Sequence, residues 1–209
     1  MVLFLIAHMY GNLKIFQGKA AFDTYSESLR TIGEPLLPHG GLLWILRIVL
    51  LISVLLHIYA AIVLWSRARK ATRGKGSNRY YSTQARRGVQ RSYASFTLRW
   101  GGLIIALFVI YHLLHLTVNV ISPGGASSSP YERTVNGFEV WWVVLSYVIA
   151  LLALGFHLKH GLWSAFASLG ANTSPDRRRT LNGAATVIST LLILGFLIPP
   201  VSVLFGWVS

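Results

Sequence analysis

The sequence predicts an all-α, polytopic membrane helix bundle with five transmembrane helices, the first truncated at its N-terminus. Three observations predict it. Four stretches of mostly apolar residues recur along the chain, each longer than the ~20 residues that cross a hydrocarbon core of ~30 Å. Hydrophobic residues make up 54% of the 209 and charged residues only 12%, about half of the ~25% charged share of a soluble domain. Lys and Arg number 19 against 6 Asp and Glu, for a formal charge of +13, and most of these cations sit in two connectors between apolar stretches. A nucleic-acid binder of this basicity would carry its charge on a far more polar surface, so no nucleic-acid partner is expected. There is no Cys, which excludes disulfides, thiolate zinc sites and cysteine-held iron–sulfur clusters. Any metal must therefore be held by His.

The elements follow in order. Residues 1–16 are apolar apart from Lys14 and end in the polar run Gly11-Asn12-Leu13-Lys14. This segment is too short to span, and it lacks the basic n-region and small-residue cleavage site of a signal peptide. It reads as the second half of a helix whose start precedes Met1. The next helix covers about 41–65, with Arg47 its one fixed charge, and the third, about 100–121, has none. The fourth covers about 140–169 and contains Lys159; the fifth covers about 184–208, with Pro199 and Pro200 expected to break it late. All five belong to one domain, residues 1–209.

The connectors give the orientation, because Lys and Arg near helix ends stay on the cytoplasmic side. The 66–99 connector carries Arg67, Arg69, Lys70, Arg73, Lys75, Arg79, Arg86, Arg87, Arg91 and Arg99 with no acid, and 170–183 adds Arg177, Arg178 and Arg179 against Asp176. The other two connectors, 17–40 and 122–139, hold Asp23, Glu27, Glu34, Glu132 and Glu139. A multi-pass protein with a cytoplasmic N-terminus and an external C-terminus is expected. The run Gly124-Gly125-Ala126-Ser127-Ser128-Ser129-Pro130 marks an irregular external connection.

Six His lie in or beside the apolar helices: His8, His57, His112, His115, His157 and His160. Ionisable residues are costly at membrane depth and mark functional sites, although a single buried His also serves as an interhelical hydrogen-bond partner. Distribution favours the functional reading, since each of the first four helices carries at least one. At ~1.5 Å per residue, His57 and His157 lie roughly 22 and 25 Å from the external face. His8 and His112 lie about 12 Å below it. Four helices thus offer two level pairs about 10–13 Å apart, the arrangement needed to ligate two stacked haems through paired imidazoles. His115 and His160 sit one turn from His112 and His157, and an error of a few residues in a helix boundary would exchange them. Arg47, near the external pair, and Lys159, beside the inner one, are the candidates to face haem propionates, which need cations in so apolar a setting. Both side chains can also snorkel to an interface. No Asp or Glu falls within an apolar core, which disfavours an ion-coupled transporter.

These residues carry a family resemblance. The runs His8-Met9-Tyr10-Gly11-Asn12-Leu13, Tyr111-His112-Leu113-Leu114 and Phe156-His157-Leu158-Lys159-His160-Gly161-Leu162-Trp163-Ser164, with the lone His57 between the first two, resemble the cytochrome b membrane-anchor subunit of succinate dehydrogenase and fumarate reductase, of the five-helix di-haem bacterial type. The resemblance implies two haem b groups, a distal one held by His8 and His112 and a proximal one held by His57 and His157. His115 and His160 are additional to that pattern and remain alternative ligands. It also implies a flavoprotein subunit that oxidises succinate and an iron–sulfur subunit that passes electrons to this chain, which reduces a membrane quinone, menaquinone by expectation. Such a chain has no activity alone. The iron–sulfur subunit would dock on the basic cytoplasmic face, Arg67 to Arg99 with Arg177 to Arg179, although positive-inside topology alone accounts for much of that charge. Arg99, Trp100, Trp163 and Ser164 are the first places to seek the quinone. The implied setting is the bacterial cell membrane, with lipid around the helices and the complex free to oligomerise. The haem subunit of another membrane dehydrogenase and a haem-free helical bundle are the competing readings.

Overall fold

The computed structural model describes residues 1–72 and 89–209. Helix α1 covers Val2–Leu13 and passes through a 3-10 turn, Lys14–Gln17, into α2, Gly18–Thr31. Helix α3 covers Gly41–Thr72, and α4, Val89–His112, continues as a π-helical segment, Leu113–Thr117. The short α5 covers Pro130–Phe138, α6 Trp141–Ser168 and α7 Pro175–Leu204. Among the described residues there is no strand. Four helical stretches are long and apolar enough to cross a membrane: Gly41–Arg67, Leu98–Thr117, Trp141–Ser168 and Pro175–Leu204. At 12 residues, α1 reaches about 18 Å and is not among them.

Several boundaries differ from expectation. The 17–40 and 122–139 connectors are partly helical, carrying α2 and α5. Both are polar helices with one buried face, which a search for long apolar runs passes over. Residues Gly124–Ser129 do form the irregular connection expected there. The 170–183 connector shrinks to a few residues because α7 begins at Pro175, so Arg177, Arg178 and Arg179 are exposed in its first turns. Pro199 and Pro200 do not break α7, which continues to Leu204. Each proline removes a backbone donor, but both are buried against neighbouring helices, the setting in which spanning helices tolerate them. The basic residues Arg73, Lys75, Arg79, Arg86 and Arg87 lie outside the described residues.

Cα packing divides the chain into two units, Glu27–Ser92 with Met1, and Val2–Ser26 with Tyr93–Ser209. In the first unit, Arg30 closes on Glu27 at 2.7 Å, and His39 reaches Glu34 at 3.1 Å and Glu27 at 3.5 Å. The Gly40 amide donates to the Arg30 carbonyl at 2.6 Å, bringing the chain back to the end of α2 before α3 starts. The flanks of α3 are exposed along most of its length, with Leu46, Leu51, Leu55, Ile58 and Ile62 all outward, the pattern of a helix that meets lipid.

In the second unit, α6 and α7 pack along their lengths with α1 laid against α7. Close approach of α1 to α7 requires Gly195, because a Cβ there would overlap the Met9 sulfur. The core gathers where α2, α5, α6 and α7 meet, around Ile15, Phe22, Tyr131, Val135, Phe138, Val143, Val144, Tyr147 and Val203. The N-termini of α5 and α7 are built alike. Ser129 Oγ accepts the Glu132 amide and Ser174 Oγ accepts the Arg177 amide, both at 3.2 Å, and each serine is followed by a proline at the first helical position. Proline there has no amide to leave unsatisfied, and its φ suits the helix. An acid in each first turn, Glu132 and Asp176, suits the positive end of the helix dipole.

Candidate functional site

The site lies in the second unit, where α1, the end of α4 and α6 converge. His8 comes from α1 and His112 from the last residue of α4, and their ring centroids are 5.8 Å apart with planes at 69°. Apolar rings surround the pair: Phe4 at 5.2 Å and Phe196 at 5.6 Å from His8, and Phe108 at 5.8 Å from His112. Asn12, one turn beyond His8, donates its side-chain amide to the His8 carbonyl at 3.0 Å.

Behind the pair stands Tyr147 of α6, only 5% exposed. Its ring is held edge-on by Phe108 and Phe138, each 4.8 Å away. Its hydroxyl lies 3.1 Å from His112 Nδ1 and 3.0 Å from His115 Nδ1. His115 falls in the π segment, whose i to i+5 bond runs from the Val118 amide to the Leu113 carbonyl at 2.8 Å. It is 2% exposed and abuts Gly137, where a Cβ would overlap its Nε2. His115 is thus wedged between Tyr147 and α5, whereas His112 faces His8. Sequence reasoning missed Tyr147, although a buried tyrosine hydroxyl calls for a polar partner and Tyr147 lies close below the start of α6.

The remaining sequence-predicted residues are spread more widely. His157 of α6 faces α4 where it is thinnest: a Cβ on Gly102 would stand 3.7 Å from His157 Cε1, and one on Gly101 would stand 3.7 Å from the Ala153 carbonyl. His57 is exposed on α3, in the first unit. His160 lies 6.0 Å from the ring of Trp163. Arg47 stacks on Trp44 at 4.9 Å, and Lys159 is half-buried on α6. Arg99 and Trp100 are exposed on α4, while Trp163 and Ser164 are half-buried on α6. Among the described residues no three His, Asp or Glu gather as a conventional metal site would. His8 and His112 bring two imidazoles together, fewer donors than a metal held by protein side chains alone takes.

An ionic cluster ties α2 to α5 beside the core. Asp23 accepts hydrogen bonds from Ser129 Oγ at 2.7 Å and the Tyr131 amide at 3.0 Å. Lys19 bridges Asp23 at 3.1 Å and Glu132 at 3.0 Å, and Ser127 Oγ donates to Glu132 at 2.6 Å. Burial pushes the Asp23 carboxyl up, but the donors Ser129, Tyr131 and Lys19 outweigh it and hold it below its ordinary value. The Ser127 hydroxyl and then Lys19 lower Glu132, and Glu132 and Asp23 raise Lys19. Arg133, on the far side of α5, donates to the Leu116 and Thr117 carbonyls at 3.3 and 3.4 Å, holding the end of the π segment.

Four long apolar helices define an all-α multi-pass membrane protein, and in its second unit the His8 and His112 rings meet among aromatic side chains. The model of the succinate dehydrogenase/fumarate reductase transmembrane subunit family matches residues 75–197. The chain belongs to that family and is a membrane-anchor subunit of the succinate dehydrogenase/fumarate reductase type. No curated protein and no solved structure gives a significant match.

Proposed function

We propose that this chain is the di-haem b anchor of a succinate:quinone oxidoreductase, carrying electrons between an iron–sulfur subunit and membrane quinone. The observation that carries the reading is the spacing of His8 and His112. Imidazole nitrogen is a good donor to haem iron, and His8 and His112 would hold one such group between them. The observed 5.8 Å between their ring centroids brings the two imidazoles close enough to serve the same group. His112 has its Nδ1 engaged by Tyr147, which leaves Nε2 as the nitrogen for a metal.

Haem would supply, when bound, a one-electron iron couple within the membrane. The chain's own part is to hold and insulate. His8 and His112 would hold the distal group, and Phe4, Phe108 and Phe196 keep water from that site. His57 and His157 would hold the proximal group, with Gly101 and Gly102 keeping α4 low over His157. Arg47 and Lys159 are the proposed propionate partners, and Arg99, Trp100, Trp163 and Ser164 the proposed quinone contacts. The flavoprotein and iron–sulfur subunits would bind on the cytoplasmic side of the bacterial membrane, where the two basic connectors, Arg67 to Arg99 and Arg177 to Arg179, are proposed to lie.

A reduced-minus-oxidised spectrum of the purified complex, with haem quantified per chain, tests this directly. Two b-type haems are expected. One would defeat the four-ligand assignment, and none would favour a haem-free anchor.

A further inference from the structure

We infer that Tyr147 is a positioning residue for the distal haem: it fixes which nitrogen of His112 carries the proton and sets how strongly that imidazole donates to iron. The inference deepens the proposed function and rests on His112 being an axial ligand. It comes from counting protons at one hydroxyl. Tyr147 Oη lies within hydrogen-bond distance of two imidazole nitrogens, His112 Nδ1 at 3.1 Å and His115 Nδ1 at 3.0 Å. A hydroxyl has one proton to give and lone pairs to receive. Both bonds form together only if at least one imidazole donates.

Ligation decides which. An imidazole that gives its Nε2 lone pair to iron keeps its proton on Nδ1, so His112 must donate to the Tyr147 oxygen. The Tyr147 proton is then free to go to His115 Nδ1, and all three groups are satisfied by a single chain running from His112 through Tyr147 to His115. Neither end can drift. The tyrosine ring is clamped between Phe108 and Phe138, and His115 is buried against Gly137. An acceptor on the far nitrogen of a ligating imidazole raises its basicity and favours the oxidised metal. Hydrogen bonds in sequence polarise one another, so His115 strengthens the acceptor that His112 meets. This explains why a His one turn from the ligand is buried without facing His8.

The test is a potentiometric titration of the haems in the purified complex, with haem content and ferric low-spin electron paramagnetic resonance spectra measured in parallel. Tyr147→Phe removes one oxygen and little volume. It is expected to keep both haems while raising the potential of one, the haem that His112→Ala loses, and leaving the other where it was. His115→Leu should raise the same potential by less, and His115→Asn, which keeps an acceptor near the position of Nδ1, should restore it. Potentials in Tyr147→Phe equal to wild type overturn the inference. If Tyr147→Phe loses the haem outright, the His115 pair decides. A shift in Leu reversed in Asn supports the chain of hydrogen bonds, and no shift in either overturns it. A complex in which His112→Ala keeps both haems defeats the ligand assignment itself, and this inference with it.

Discussion

The Asp23 carboxylate accepts the backbone amide of Tyr131 at 3.0 Å, joining the middle of α2 to the first turn of α5 across more than a hundred residues of sequence. That amide is one of the four at a helix start that have no partner within the helix. Asp23 also takes the hydroxyl of Ser129, the residue that caps α5. One carboxylate therefore fixes both the cap and the first turn of the short helix whose other end carries Gly137 against His115. The polar end of the second unit and its imidazole site are connected through α5.

Asp23→Ala should destabilise the assembled protein by about 1.5–3 kcal/mol, the range for hydrogen bonds to a charged group. Asp23→Asn keeps an acceptor for one of the two donors and should cost less. Thermal denaturation of the purified complex ranks them, with wild type highest and Ala lowest. An Ala variant that melts with wild type would mean α5 is held by its apolar face alone.

The same cluster gives a pH dependence with a definite sign. Asp23 and Glu132 titrate below their ordinary values of 3.8 and 4.5 when folded. Their contribution is therefore complete above those values and lost as pH falls through the lowered ones. Lys19 is raised above 10.5, so its contribution is complete below that pH and lost as pH rises beyond it. The melting midpoint of wild type should hold across the neutral range relative to an Asp23→Asn, Glu132→Gln double variant, and the difference between them should shrink below about pH 4. A difference that stays constant into acid would show that the cluster is not the source.

Gly137→Ala sets two effects against each other. Alanine in place of glycine favours a helix by about 0.5–1 kcal/mol, whereas forcing an atom into a packed site costs typically about 1–3 kcal/mol. The added Cβ would overlap His115 Nε2 and stand 2.7 Å from its Cε1, and that ring cannot simply swing aside while Tyr147 holds it. Net destabilisation is expected, seen as a lower melting midpoint. A raised midpoint would mean the His115 ring moves freely.

How much of this was legible in the sequence varies with the physics. Length and apolarity alone locate the four long helices, because the bilayer dictates both. They are blind to α2 and α5, which are short and polar. Their signals were nonetheless present: Ser129-Pro130-Tyr131-Glu132 and Ser174-Pro175 are helix starts by capping chemistry. Pro199 and Pro200 misled because a local rule against proline yields to burial among neighbouring helices. Matching levels by rise per residue put His8 with His112, and those rings do meet. It could not separate His112 from His115, since residues one turn apart are distinguished only by what each faces. Nothing local marks Leu113–Thr117 as a π segment. Tyr147 was within reach of the same arithmetic: six residues into α6, it lies about 9 Å from that helix's start, near the expected depth of the His8 and His112 pair.

The pairing of His8 with His112 makes a non-additive prediction. Two residues that hold the same metal from opposite sides fail together, so His8→Ala and His112→Ala should each remove one haem of two, and the double variant should remove no more. A variant of His57 or His157 should remove the other haem, and combining it with His112→Ala should leave none. His115→Ala and His160→Ala should each leave both haems bound, because His115 turns its Nε2 against Gly137 while the ring that meets His8 is His112. Haem per chain, measured after dissociation from the purified complex, gives the count in every case. A double His8, His112 variant that loses both haems would show that the two residues serve different irons, and His115→Ala losing one while His112→Ala loses none would exchange their roles.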